Sequence, residues 1–162
     1  MNKTNLKIEN AAIDDCALIH QFIIKLAKAE EFPFDVLVTL EDLQINLFGD
    51  SSVAECLLFF IDDKPIGFAV YYFTFSTCLG KKGLHLEDLY IEPEYQGFGF
   101  GKQVMQHLAN IATTNDCARF EWWALKTNVS AIQFYENLGA KRLDEISIFR
   151  LSDGPLNSLS EF

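Results

Sequence analysis

No apolar run in these 162 residues approaches the roughly 20 needed to cross a bilayer, so no membrane span is expected. Histidine is scarce: the three present show no metal-ligand spacing, and no bound metal is expected. Cys16, Cys56, Cys78 and Cys117 lie far apart with no C-x-x-C pair. That spacing reads as reduced, mostly buried thiols rather than a disulfide framework or a zinc site. The opening MNKTNLKIEN lacks the apolar stretch of a secretory signal, so a cytoplasmic protein is expected. Basic residues are outnumbered, with 13 Lys and Arg against 23 Asp and Glu and a net charge of −10. A balance of that sign argues against gripping nucleic acid through its phosphates and suits a cationic substrate. Internal repeats, linkers and composition shifts are also missing. A single domain over residues 1–162 is therefore expected, large enough for one core.

What the chain has in quantity is apolar surface. Hydrophobic residues make up 49% and include fifteen Phe, which rules out a disordered chain. A short strand is expected near LKIEN. In AAIDDCALIHQFIIKLAKAEEF, Ile19, Ile23 and Leu26, with Leu18 and Phe22 beside them, form one helical stripe. The turn FPFD follows, with Pro33 breaking the helix. TLEDLQINLFG starts a second helix with a capping box from Thr39 to Asp42 and stops it at Gly49. VAECLLFFI and IGFAVYYFTF are strand-like and flank DDKP, which reads as a hairpin. GLHLEDLYI is a third strand. A helix with Val104, Leu108 and Ile111 at its spacing follows, then a strand in ARFEWWAL. SAIQFYENLGA reads as a helix closed by Gly139, and EISIFRL as a last strand. The tail from Ser152 shows no period. The order α-α-β-β-β-α-β-α-β predicts a mixed α/β layer structure.

Residues 96–102 read QGFGFGK, between the third strand and its helix. A strand, a glycine loop and a helix aim backbone N–H groups and the positive end of a helix at an anion. A dinucleotide fingerprint requires G-x-G-x-x-G, whereas Gly97, Gly99 and Gly101 are spaced G-x-G-x-G. A triphosphate loop requires G-x-x-x-x-G-K-[ST], but Gln96 stands at its first glycine and Gln103 where the hydroxyl belongs. Both readings fail.

The remaining pattern, Q-x-x-G-x-G over Gln96, Gly99 and Gly101, resembles the acyl-CoA pyrophosphate loop of the GCN5-related N-acetyltransferase (GNAT) superfamily. NVSAIQFYENLGAKR looks like that family's second motif, at a suitable distance from Gln96. KLAKAEEF…VTLEDL, GFAVYYFTFST and HLEDLYIEPEYQGFGFG resemble the spermidine/spermine (diamine) and thialysine N-acetyltransferase subgroup, over about residues 13–150. The resemblance implies an α/β (α+β) GNAT fold. That is a mixed, mostly antiparallel central sheet with a splayed central strand pair and helices on both faces. It also implies an acetyl-CoA-dependent N-acetyltransferase acting on a primary amine of a small substrate, by direct transfer through a tetrahedral intermediate. The expected partners are that amine and a second copy of the chain in a homodimer, with C-terminal strands often exchanged; no nucleic acid or membrane is expected.

The chemistry sets the requirement for particular residues. A primary amine of pKa near 10.4 is neutral at pH 7 in about one molecule in 2,500, a deficit of about 4.6 kcal/mol. A base must take its proton, and carboxylates must attract the cation. Glu87 and Asp88 stand on the strand feeding the loop, and strand alternation predicts that they face opposite sides. By resemblance, Glu87 is the base or its water-mediated relay, and Tyr135 is the acid that protonates the departing thiolate. The resemblance also gives Leu89, Tyr90 and Ile91 to the pantetheine arm through their backbone, with an oxyanion donor near Leu89 where the strand splays. Gln96, Gly97, Phe98, Gly99, Phe100, Gly101 and Lys102 cradle the pyrophosphate. Asn128 and Ala131 lie along the cofactor arm, with Phe134 as the packing member of the Phe-Tyr pair. Glu30, Asp88, Glu121 and Glu145 join Glu87 in an acidic groove for the amine.

Two departures bear on the substrate. Ala29 stands where the spermidine enzymes have Tyr, and Cys78 where the subgroup has Trp. FST before Cys78 resembles the thialysine branch, in which Ser76 and Thr77 would bind an amino-acid carboxylate. Two other readings remain open: a protein or peptide N-acetyltransferase, and a catalytically silent acyl-CoA-binding module.

Overall fold

The computed structural model describes residues 5–33 and 35–161, so Phe34 of the expected FPFD turn lies outside the described residues. Two compact units are distinguished, Met1–Leu125 and Lys126–Phe162.

The first unit is built on a five-stranded sheet in the order β1 (Lys7–Asn10), β2 (Glu55–Ile61), β3 (Lys64–Ser76), β4 (Lys81–Ile91), β5 (Arg119–Trp122). All neighbours are antiparallel except β4 and β5, which run parallel. The sheet is thus mixed and mostly antiparallel, as expected. The DDKP hairpin forms: Ile61 pairs with Lys64, and Asp62 and Asp63 take φ of 48° and 60°. Positive φ at both central residues is what a two-residue turn needs to match the twist of its strands.

Helices cover both faces. On one, α1 (Cys16–Ala29) buries Cys16, Ile19, Phe22 and Leu26, so the expected Ile19 and Leu26 hold, Phe22 takes the place of Ile23 between them, and Leu18 and Ile23 are half-buried. Phe22 stacks on Phe68 at 5.9 Å and lies 5.9 Å from the Tyr90 ring. The short α2 (Leu40–Leu43) begins at the expected capping box. Thr39 Oγ1 accepts from the Asp42 N–H at 3.1 Å, and Asp42 Oδ2 accepts from the Thr39 N–H at 2.9 Å. A wider, π-helical turn over Gln44–Phe48 extends it to Gly49, where a Cβ would sit 2.6 Å from the Ile45 carbonyl oxygen. The other face carries α3 (Phe100–Thr114), with Phe100, Val104, Met105, Leu108 and Ala112 buried. Strand residues on the face opposite α1, such as Leu57, Phe59 and Leu84, are also buried.

The second unit holds α4 (Val129–Asn137) and α5 (Asp153–Ser160). Asn128 caps α4 by accepting from the Ala131 N–H at 3.2 Å, and Gly139 takes the expected left-handed conformation at φ 92°. Two expectations fail here. EISIFRL forms no strand among the described residues. The aperiodic tail contains a helix, which starts just ahead of Pro155, where that residue's missing N–H costs nothing.

Candidate active site

The centre of interest is the way β4 changes along its length. Its ladder to β5 runs from Gly83 with Arg119 to Leu86 with Trp122 and stops there. From Glu87 onward β4 has only β3 as a strand neighbour. One edge of residues 87–91 therefore presents backbone groups to no strand of the described sheet. The splay expected of this sheet would open at this point.

A bulge sits at its start. Val70 pairs with Asp88 and Tyr71 with Leu86, so Glu87 is the extra residue. The consequence for side chains is large. Phe68, Val70, Tyr72 and Thr74 alternate onto one face of β3, and their partners on β4 are Tyr90, Asp88, His85 and Gly83. Even-numbered residues hold that face above the bulge and odd-numbered ones below it. Glu87 joins the same face, with its Oε2 3.8 Å from His85 Nε2. The expectation that Glu87 and Asp88 face opposite sides is therefore corrected. Strict alternation fails because one residue has been inserted between them and the paired half of the strand.

The acids consequently feel one another. Burial, then the charges of Glu87 and Glu30, push the Asp88 carboxyl up to about 7. Burial and then Asp88 likewise drive the Cys56 thiol well above its ordinary range. Glu30 follows α1 as its C-cap residue and is half-buried, so it reaches this group from the helix while Glu87 reaches it along the strand. Burial and the Glu87 charge also raise the Tyr72 phenol. Glu121 is the β5 partner of His85 and is ion-paired with Arg119 at 2.9 Å. Ser76 and Thr77 are not brought to this cluster. Ser76 is buried at the β3–β4 hairpin, where its Oγ accepts the Leu79 N–H at 3.3 Å; Thr77 beside it is exposed. Five ladder positions, about 17 Å, separate Ser76 from Tyr71 at the bulge. Exposed Cys78 lies in the same hairpin, Cys117 is half-buried, and Cys16 and Cys56 are buried; all four are free thiols.

At its far end β4 delivers the chain into the glycine loop. Gln96 folds back so that its Nε2 donates to the Ile91 carbonyl at 2.8 Å. Gly97 and Gly99 take φ of 82° and 84°, which L side chains rarely adopt, and a Cβ at either would meet nothing within 4 Å. The bare backbone thus faces open space, and Gly99 is the N-cap of α3. The N–H groups of Phe100, Gly101 and Lys102 belong to the first helical turn and have no acceptor within the helix. Such a cradle fits a pyrophosphate. Phe100 itself is buried and anchors the turn, whereas Phe98 and Lys102 are exposed.

In the second unit, Phe134 and Tyr135 are adjacent and half-buried on α4, their rings 5.3 Å apart. Ala131 lies on the same helix, Asn128 caps it, and Glu145 is exposed beyond it. His85 was missed as a site residue from the sequence; its only signal there is a position two residues before Glu87 on a strand. Among the described residues no group of three or more His, Cys, Asp or Glu is placed to hold a metal ion, and no helix is long and apolar enough to cross a membrane.

The sequence model described as acetyltransferase (GNAT) family matches residues 22–140. A thialysine N-epsilon-acetyltransferase from Sus scrofa is 33% identical over 146 residues, covering 85% of each chain. The Homo sapiens spermidine/spermine N(1)-acetyltransferase-like protein 1 is 35% identical over 141 residues, 83% of this chain and 20% of its own. Among solved structures, an integron cassette protein from the mobile metagenome of V. cholerae superposes with a TM-score of 0.79 at 30% identity, covering 97% of this chain and 98% of that one.

Proposed function

The chain belongs to the acetyltransferase (GNAT) family and is an acetyltransferase, and on that premise we propose that it transfers an acetyl group from acetyl-CoA to the primary amine of a small substrate, of the diamine, polyamine or thialysine and lysine-like class. The observation that carries the reading is the single strand β4. It parts from β5 after Leu86, bulges at Glu87, and ends in a bare-backbone loop at the start of a helix.

GNAT acetyltransferases use acetyl-CoA as co-substrate. Here residues 96–102 would hold its pyrophosphate by backbone N–H groups, and Leu89, Tyr90 and Ile91 its pantetheine arm along the open edge. Asn128, Ala131 and Phe134 would lie along the arm's far end. Glu87 would remove the ammonium proton, directly or through water, and an N–H near Leu89 would hold the oxyanion. Tyr135 would protonate the leaving thiolate. Glu30, Asp88, Glu121 and Glu145 would supply negative charge to a cationic amine. We read residues 1–162 as one acetyltransferase domain, since the family match runs across the boundary at residue 125. A homodimer in the cytoplasm suits the free thiols and the exposed apolar Ile146, Ile148, Phe149 and Leu151.

The test is thiol release from acetyl-CoA with thialysine, putrescine, spermidine, lysine and acceptor peptides. Turnover with one or more of the small amines is expected. Turnover on peptides alone, or tight acetyl-CoA binding with no acceptor at all, overturns it.

A further inference from the structure

Of the three histidines, His85 is buried on the face that carries Glu87 and Asp88. Its ring lies 4.9 Å from that of Tyr72, tilted by 31°, and meets the Trp123 ring edge-on at 5.1 Å. Such a slot fixes both torsions of the imidazole. The nitrogen it turns outward, Nε2, faces Glu87 Oε2 at 3.8 Å, within ion-pair reach and about 1 Å beyond a direct hydrogen bond. The His85 side chain is 8% exposed and that of Glu87 52%, so one partner is held by protein and the other projects into solvent.

This juxtaposition exists because of the bulge. In a regular strand, two residues on one face both take part in the ladder on each side. Here His85 pairs with Tyr72 and Glu121, while Glu87 pairs with neither neighbour. An unpaired residue with a long, half-exposed side chain is a poor place for a base unless something fixes its carboxylate. His85 is the group placed to do so. The other groups facing it are Tyr72 from β3 and Trp123 just past β5, together with Glu121, whose charge is matched by Arg119. Asp88 is beside Glu87 on β4, and Glu30 reaches Asp88 from α1.

We propose that His85 is a positioning residue for Glu87: seated between Tyr72 and Trp123, it holds the Glu87 carboxylate at the opening of the sheet and receives the proton that this carboxylate takes from the amine. The inference rests on the acetyltransferase reading above. The ammonium gives one proton to Glu87 and becomes the neutral amine. The glutamic acid so formed closes to hydrogen-bond distance and passes the proton to the His85 ring, regenerating the carboxylate beside an imidazolium, which releases it to solvent. Acetyl transfer from a thioester to an ammonium liberates one proton overall, so the balance closes.

The test has two arms. In the first, the imidazole titrations of the folded, isotope-labelled protein are followed by NMR, with His85 assigned by its loss in His85→Phe. Glu87→Gln is expected to move the His85 titration to lower pH, and Glu9→Gln, on the far strand β1, to leave it in place. A His85 titration indifferent to Glu87→Gln overturns the coupling, whatever the enzyme acetylates. In the second arm, His85→Phe keeps a ring in the slot and is expected to lower kcat about tenfold or more, with KM for acetyl-CoA unchanged and one titration lost from the acidic limb of kcat. His85→Gln, which restores a donor toward Glu87, is expected to recover part of kcat and serves alone if the Phe variant fails to fold. Wild-type kcat and pH profile in His85→Phe, or in His85→Gln where the Phe variant is lost, overturn the proposal. If the wild type acetylates no amine, the proposed function fails while the NMR arm still decides the pairing.

Discussion

The two halves of β4 share a strand, a partner in β3 and a sequence pattern, yet they differ in nearly every physical respect. Below the bulge, Leu84, His85 and Leu86 are laddered on both sides and buried. Above it, residues 87–91 have one strand neighbour, two carboxylates on one face, and a backbone edge that no strand of the described sheet pairs with. Packing specifies the first half and chemistry the second. The boundary is one inserted residue, enough to turn an alternation that builds a core into one that gathers acids.

The sharpest way to break this contrast is to mutate each half in turn. Glu87→Gln is expected to lower kcat/KM by about 10²–10⁴-fold while thermal unfolding barely moves, since the side chain is half-exposed and outside the ladder. Steady-state rates and calorimetry on the same sample check both halves of that statement. Leu84→Ala should do the reverse. Leu84 is 1% exposed, so about 2–5 kcal/mol of stability is lost by denaturant titration, with the KM for acetyl-CoA retained below the transition.

Asp88 tests the border between the halves through pH. Its folded carboxyl titrates at about 7, above the ordinary 3.8, so the folded chain holds this proton more tightly than the unfolded one. The stability it contributes is complete below about pH 4 and is lost as pH rises toward and through 7. Asp88→Asn should therefore flatten the stability profile between pH 4 and 8, by up to about 4 kcal/mol, read as urea midpoints across that range. An unflattened profile places the acid in water. Tyr135→Phe comes next, with kcat expected to fall about tenfold or more and acetyl-CoA affinity preserved. Smallest is Gly99→Ala. A left-handed N-cap costs a side chain about 1–2 kcal/mol, so the melting point drops a few degrees and acetyl-CoA binds more weakly.

Much of the fold was legible because it is written locally. The capping box at Thr39, the two-residue turn at Asp62 and Asp63, the stop at Gly139 and the loop at residues 96–102 each follow from a few residues whose backbone preferences are strong. The bulge was not legible. LHLEDLYI breaks its apolar–polar alternation at Glu87-Asp88, but a pair of adjacent acids does not by itself mean an insertion, and the extra residue is visible only against β3, across the ladder. For the same reason the sequence placed Glu87 and Asp88 on opposite faces and overlooked His85, whose neighbours Tyr72 and Trp123 are 13 and 38 positions away. The last strand failed differently. EISIFRL has strand composition, but a strand is a relation between two segments, and composition does not name the second.

One contact gives the open half of β4 a mechanical character. Just past the strand, Glu92 accepts the Tyr90 hydroxyl at 2.9 Å on one carboxylate oxygen and pairs with Lys25 of α1 on the other, while its N–H donates to the Ile66 carbonyl at 2.8 Å. The segment without a β5 neighbour is thus tethered at both ends, by the Leu86–Trp122 rung and by Glu92. It behaves as a short span between two piers, free along one side yet unable to fray from a loose tip. Fast amide exchange should therefore be confined to the few residues between the piers, and release of the Lys25 tether should lengthen that window toward the glycine loop without reaching the core.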